Sequence, residues 1–277
     1  MREKKHQPLL TLAFTLLSLV WVFPIFAVVM NSFKKKVYIN RYPFTWPTGK
    51  SFVGWDNYVE GLRKTHFFNA FGYSVFITVV SVAVILICTS MTAWYITRVK
   101  GAVSKIVYTL CLFAMVVPFQ MVMYPLSKLA DFLKLSNPLG IVVVYLGFGA
   151  GLAIFMFCGF VRNVPMEVEE AAMIDGCNPL QTFFKVVIPI LKPSMVTVAI
   201  LDIMWIWNDY LLPVLVLDQK KYQTVPIVIQ YLKGGYGSID WGAMMAMLTL
   251  TIIPVVAFYL AGQKYIIRGV AAGAVKG

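Results

Sequence analysis

Long apolar stretches separated by short polar ones dominate the chain. About 20 apolar residues rising 1.5 Å each cover about 30 Å of hydrocarbon, and six stretches meet that length: Leu9 to Met30, Phe71 to Ile96, Ile106 to Leu126, Leu139 to Val161, Ser194 to Leu217 and Ala243 to Gly262. The first follows Arg2, Lys4 and Lys5 as the core of a signal peptide would. It is longer than the roughly 7 to 15 residues of such a core and no A-x-A site follows, so it reads as an uncleaved anchor. The pattern predicts an all-α integral membrane protein of six transmembrane helices with both termini on one side. Residues 1–8 form an N-tail, 9–30 the first helix, 71–262 a five-helix core and 263–277 a C-tail. Only 31–70, 162–193 and 218–242 are longer connections, so no separate soluble catalytic domain is expected.

Composition sharpens this picture. Of 277 residues 60% are hydrophobic and 13% charged, whereas soluble domains carry about 25% charged residues. The net charge of +12 is scattered between apolar blocks, which excludes the gathered basic face of a nucleic-acid binder. Twelve basic residues fall on each side of the predicted membrane, so the positive-inside rule alone leaves orientation open. Cys88, Cys111 and Cys158 lie in apolar runs and Cys177 in a polar loop, with no C-x-x-C pair. Neither a disulfide framework nor a zinc site is implied. His6 and His66 are too few for a zinc-protease helix, and Gly49-Lys50-Ser51 lacks the earlier glycine of a phosphate loop, since Phe44 stands there. The fourteen methionines read as packing rather than as metal ligands.

Residues 162–193 predict two short helices around a tight turn. Pro165 suits a first helical position, and Glu167, Glu169 and Glu170 lie where the positive end of a helix favours anions. Gly176 is placed to close that helix with positive φ, Asn178 to cap the next, Pro179 to open it and Pro189 to end it. A DNA-binding helix-turn-helix has a similar outline. Four acids against three bases give this loop a net charge of −1, which repels phosphates, and both its ends are tethered to spans.

The run Glu170-Ala171-Ala172, then Gly176, then Val186-Val187-Ile188-Pro189 resembles the EAA loop of binding-protein-dependent ABC importers, with Val186 and Ile188 as conservative departures. The wider chain resembles the second, six-span permease subunit of the maltose-type, carbohydrate-uptake branch. Trp55-Asp56-Asn57-Tyr58, Ala93-Trp94-Tyr95 with Arg98, Pro118, Pro125-Leu126, Trp205 with Trp207-Asn208-Asp209 and the Ala271 to Gly277 tail carry that likeness. The resemblance implies a type I importer permease fold. It implies a permease of a prokaryotic cell membrane with cytoplasmic termini, which is not an enzyme and has no cofactor of its own. ATP and Mg would act on a partner ATPase. The implied partners are a second homologous permease, a cytoplasmic ATPase dimer, an extracytoplasmic sugar-binding protein, a sugar and membrane lipid, without nucleic acid. The implied ATPase-coupling residues are Glu169, Glu170, Ala171, Ala172, Asp175, Gly176 and Pro189. The Gly234-Gly235-Tyr236-Gly237 run with Trp241 would face the binding protein or form an ordinary surface loop, and the tail would reach the ATPase.

The fifth span carries polar residues. A charge at mid-membrane costs about 2.5 to 3.5 kcal/mol on the insertion scale, so Asp202 and Asp209 should face protein or water. Seven residues apart, they share one face of an ideal helix, with Trp205 close to that stripe and Asn208 beside it. Two readings stand: a translocation path in which these groups meet sugar hydroxyls and rings, or an interhelical hydrogen-bond network. Gly147 and Gly151 form a small-x3-small pair for close helix packing, and Pro118 and Pro125 are expected to kink span three. A glycerol-phosphate permease or a secondary transporter are the alternatives. The latter needs an internal repeat, and none is visible.

Overall fold

Helix formation follows the apolar stretches, and the punctuation follows proline, glycine and asparagine. The computed structural model describes residues 7–233 and 239–274, with 264–274 as helix course alone. In chain order the α-helices are α1 (Gln7–Asn31), α2 (Lys36–Arg41), α3 (Asp56–Thr65), α4 (Phe67–Arg98), α5 (Ala102–Val116), α6 (Phe119–Phe132), α7 (Pro138–Val161), α8 (Met166–Ile174), α9 (Pro179–Thr182), α10 (Ile188–Asn208), α11 (Leu211–Val216), α12 (Val225–Tyr231) and α13 (Trp241–Ala274). No strand occurs among the described residues. The beginning of the N-tail, the Gly234 to Gly237 run and the end of the C-tail lie outside them.

Among the described residues five helical segments are long and apolar enough to span a membrane, and the bent pair α5 and α6 makes six if the two together form one span. That pair departs from the single kinked third span expected. It turns through 109° because Val117 before Pro118 is extended (φ −71°, ψ 116°), as a residue preceding proline prefers. Pro125, by contrast, is accommodated inside α6.

The chain divides into two compact units, Met1–Phe68 with Val228–Pro254, and Asn69–Ile227 with Val255–Gly277. Residues 228–254 thus group with the N-terminal part rather than with the 71–262 core drawn from sequence. Local contacts give the reason. In the first unit Lys64 bridges Glu60 and Asp240, at 2.7 Å to each. A Cβ on Gly61 would stand 2.7 Å from Met247 Cε, and one on Gly242 would strike the Asn57 amide. That amide donates to the carbonyls of Ser32 (2.8 Å) and Lys34 (2.9 Å). Lys34 is itself fully buried, its ammonium donating to the carbonyls of Tyr42 (3.0 Å) and Pro43 (3.3 Å), and desolvation lowers its pKa. His66 takes a left-handed conformation (φ 45°) as it closes α3.

The second unit has its core between α4, α7 and α10, around Ile85, Tyr145, Ile154, Phe157 and Ile206. Close approach of α7 depends on Gly149, where a Cβ would meet Ile85 Cδ1 at 2.8 Å, and on Gly151, where it would meet the Cys111 carbonyl at 2.9 Å. Gly147, the other half of the expected pair, has nothing within 4 Å. The single side of α7 that packs against α5 therefore uses Gly151 and not the full motif.

The loop between the fourth and fifth spans as a candidate coupling site

Residues 162–193 fold as two helices around a turn, with two local departures from expectation. Pro165 is the residue before α8 (φ −60°, ψ 135°) rather than its first turn. Pro189 does not end the second helix. Instead α9 passes through a wide turn at Phe183–Val187 into α10, giving one 30-residue helical run, Pro179–Asn208. The Ile188 amide reaches back five residues to the Phe183 carbonyl, and such widened turns relieve local strain in the ladder. Pro189 is then the second residue of α10, where it has no N–H for the ladder, and the wide turn just before it accommodates the missing bond.

Gly176 (φ 87°) terminates α8 by a Schellman arrangement. The Cys177 amide donates to the Ala172 carbonyl (3.0 Å) and the Gly176 amide to the Met173 carbonyl (3.1 Å), satisfying groups that a helix end leaves orphaned. Asn178 then caps α9 reciprocally with Gln181. Gln181 N donates to Asn178 Oδ1 (2.9 Å) and Asn178 N to Gln181 Oε1 (3.0 Å), a capping box opened by Pro179.

The seven predicted coupling residues separate into two groups. Glu170, Ala171, Asp175, Gly176 and Pro189 are exposed and Ala172 is half-buried, whereas Glu169 is 4% exposed. Its carboxylate accepts from Trp94 Nε1 (2.9 Å), from Arg98 Nε (3.1 and 3.2 Å) and from Arg98 Nη2 (2.7 Å). Arg98 Nη2 also donates to the carbonyls of Val164 (2.8 Å) and Val161 (3.4 Å). One guanidinium therefore joins the end of α4, the end of α7 and the first turn of α8, in the forked geometry that carboxylates favour. Trp94 stacks obliquely on Phe183 (5.6 Å), within a small core of Val161, Val164, Phe183, Val187 and Leu191. Trp94 and Arg98 are four apart on one helical face, the one sequence signal that could have paired them with a loop acid. Outward, Met166, Met173 and Ile174 leave apolar surface uncovered, with Ile174 86% exposed.

The fifth span is also divided. Pro213 has no N–H to donate to the carbonyl four residues earlier, and the chain turns extended at Asp209 (φ −74°, ψ 125°). Asp209 Oδ1 accepts the amides of Leu211 (3.0 Å) and Leu212 (3.3 Å), starting α11, and Oδ2 accepts from Tyr145 Oη (3.1 Å). The ideal-helix stripe is therefore broken before Asp209. Asp202 is buried and its Oδ2 lacks a hydrogen-bond partner. Trp205, 39% exposed, meets Tyr145 edge to face at 5.5 Å, and exposed Asn208 donates to the Met204 carbonyl (2.7 Å). Leu201, Met204, Trp205 and Asn208 make one exposed stripe on α10, with Asp202 outside it.

Residues 85–272 match the family of binding-protein-dependent transport system inner membrane components, and the chain belongs to it. It is 40% identical to the starch degradation products transport permease AmyC of Thermoanaerobacterium thermosulfurigenes, over 97% of this chain and 96% of that protein. It is 33% identical to the multiple sugar-binding transport permease MsmG of Streptococcus mutans, over 91% of each. The fold is that of a chain in a bacterial ABC transporter for import of the acidic polysaccharide alginate, at a TM-score of 0.76 and 22% identity, covering 96% of this chain and 99% of that one. The resemblance read from the EAA motif is thus borne out at the level of family and fold.

Proposed function

We propose that this chain is a permease subunit of an ATP-driven importer for oligosaccharides, forming the path with a second permease and coupled through α8 to a cytoplasmic ATPase dimer. Hydrolysis belongs to the ATPase, which holds the ATP and Mg. The sugar class is supported by the names of AmyC and MsmG, which disfavour glycerol-phosphate compounds. A solved alginate transporter in complex with its pentasaccharide-bound periplasmic protein supports a binding-protein partner. With α8 cytoplasmic, both termini are cytoplasmic, and α2, α3 and the turn after α6 face outward.

The observation that carries this reading is the Arg98 to Glu169 clamp beneath an exposed apolar α8. A helix fixed at its base and open on its outer face passes on a rigid-body movement that a loose loop would absorb. Gly176→Val tests it. No neighbour lies within 4 Å of a Cβ there, so the cost is conformational, about 1 to 2 kcal/mol for a left-handed residue and more for a β-branched one. Membrane insertion should persist while uptake and substrate-stimulated ATPase activity are lost. Normal uptake in vesicles would overturn the coupling role.

The exposed stripe on α10 supports Trp205 and Asn208 as path-lining groups, while Asp209 acts as a cap and Asp202 as a buried group of the bundle. Trp205→Ala is therefore expected to lower uptake and alter preference among sugars of different length. Asp209→Asn, which keeps an acceptor for the Leu211 and Leu212 amides, should retain most activity. Unchanged uptake and selectivity in Trp205→Ala would remove Trp205 from the path.

A further inference from the structure

A cleft of about 620 Å³ opens where α4 ends, α5 begins and α7 gives way to α8, lined by Arg98, Lys100, Ser104, Lys105, Tyr108 and Arg162 among others. Arg98 is committed to Glu169. Lys100, Lys105 and Arg162 are exposed, and among the described residues none of the three forms an ion pair. Three like charges thus surround one concavity without a counter-ion. Gly101, also in the wall, precedes α5 without a side-chain cap, and the Ser104 hydroxyl is spent on the Val99 carbonyl (2.6 Å). The positive end of α5 therefore adds to the same field.

We propose that this cleft binds the phosphate head group of an anionic phospholipid. The shared chemistry is a phosphate, and the surroundings favour a lipid source over a free ion. Residues 99–101 join two membrane-spanning helices, so the cleft lies at the depth where hydrocarbon gives way to head groups. Val103, Ile106, Leu110 and Phe113 are exposed on the side of α5 away from Ser104 and Tyr108, so the helix that carries Lys105 itself borders lipid. Basic recesses between membrane helices recognise anionic head groups in this way, each nearby Lys or Arg contributing about 1 kcal/mol. The leaflet is the cytoplasmic one if α8 is cytoplasmic, so that detail rests on the proposed orientation while head-group binding does not.

The test uses the full chain purified in mild detergent, with lipids counted by native mass spectrometry. Dioleoyl-phosphatidylglycerol should be retained at least about tenfold over dioleoyl-phosphatidylcholine, and the triple variant Lys100→Gln, Lys105→Gln, Arg162→Gln should lose that preference. Lys220→Gln with Lys221→Gln should keep it, as should Lys100→Arg with Lys105→Arg, which guards against a folding defect. Equal retention of the two lipids, or an undiminished preference in the glutamine variant, overturns the site. Displacement of the lipid by millimolar inorganic phosphate assigns the cleft to a free anion and overturns the lipid source. None of these readings depends on ATPase coupling, so the two proposals fail separately.

Discussion

Arg98→Leu is expected to abolish coupled uptake while leaving the protein in the membrane. The substitution removes every charged partner of Glu169 and leaves its carboxylate, 5% exposed, with Trp94 Nε1 alone. Breaking one side of a buried pair costs about 3 to 5 kcal/mol, and at 1.4 kcal/mol per factor of ten even the lower figure shifts the docked position of α8 by about a hundredfold. Arg98→Lys should recover only part of this, because an ammonium cannot reach Glu169 and the Val164 carbonyl with one planar fork. Arg98→Leu with Glu169→Leu should do better than Arg98→Leu alone, since no buried charge is then stranded. Uptake and ATPase activity of the assembled importer in proteoliposomes check the series. Wild-type transport by Arg98→Leu would mean that α8 is held by its apolar core alone.

The second large effect is expected at Gly140, in the first turn of α7. A Cβ there would collide with the Leu135 carbonyl oxygen and lie 2.5 Å from Leu135 Cα, both main-chain atoms. The crowding has a local origin. Lys134 takes a left-handed conformation (φ 56°), the Leu135 amide donates back to the Ala130 carbonyl (2.8 Å), and Asn137 Oδ1 accepts the amides of Leu139 (3.1 Å) and Gly140 (2.9 Å). The corner between α6 and α7 is thereby folded against the start of α7. Backbone cannot rotate aside as a side chain can, so Gly140→Ala should cost about 3 kcal/mol or more, the upper end for overpacking. The displacement would travel along α7 to Tyr145, which supports the break at Asp209. A lower midpoint of thermal unfolding in detergent, with reduced yield, is the expected result. A midpoint unchanged within about a degree would show that the corner opens without penalty.

What could be read directly from residues was whatever is decided within a few positions. Gly176, Asn178 and Pro179 impose their turn and caps through φ preferences and hydrogen bonds no longer than five residues. Pro189 misled for the same reason that it is informative elsewhere: proline ends a helix in its interior, yet a wide turn just before it turned Pro189 into a first-turn residue of the next helix. Pro213 was a signal passed over, and with it the break that removed Asp209 from the Asp202 face.

The apolar stretches themselves determined the candidate spans, five and the bent α5–α6 pair, because a bilayer demands length and apolarity and little else. The same uniformity hides which face of a span is inward, since α7 is apolar all round and its burial pattern cannot be marked by polar residues. Only the tertiary structure decided that Gly149 and Gly151, rather than Gly147, meet neighbouring helices, and that Glu169 among three adjacent acids turns inward. Glu169 and Arg98 stand 71 residues apart, and no local preference selects that pair. Packing brings the ends of α4, α7 and α8 together, and the cost of leaving a buried carboxylate without a partner does the rest.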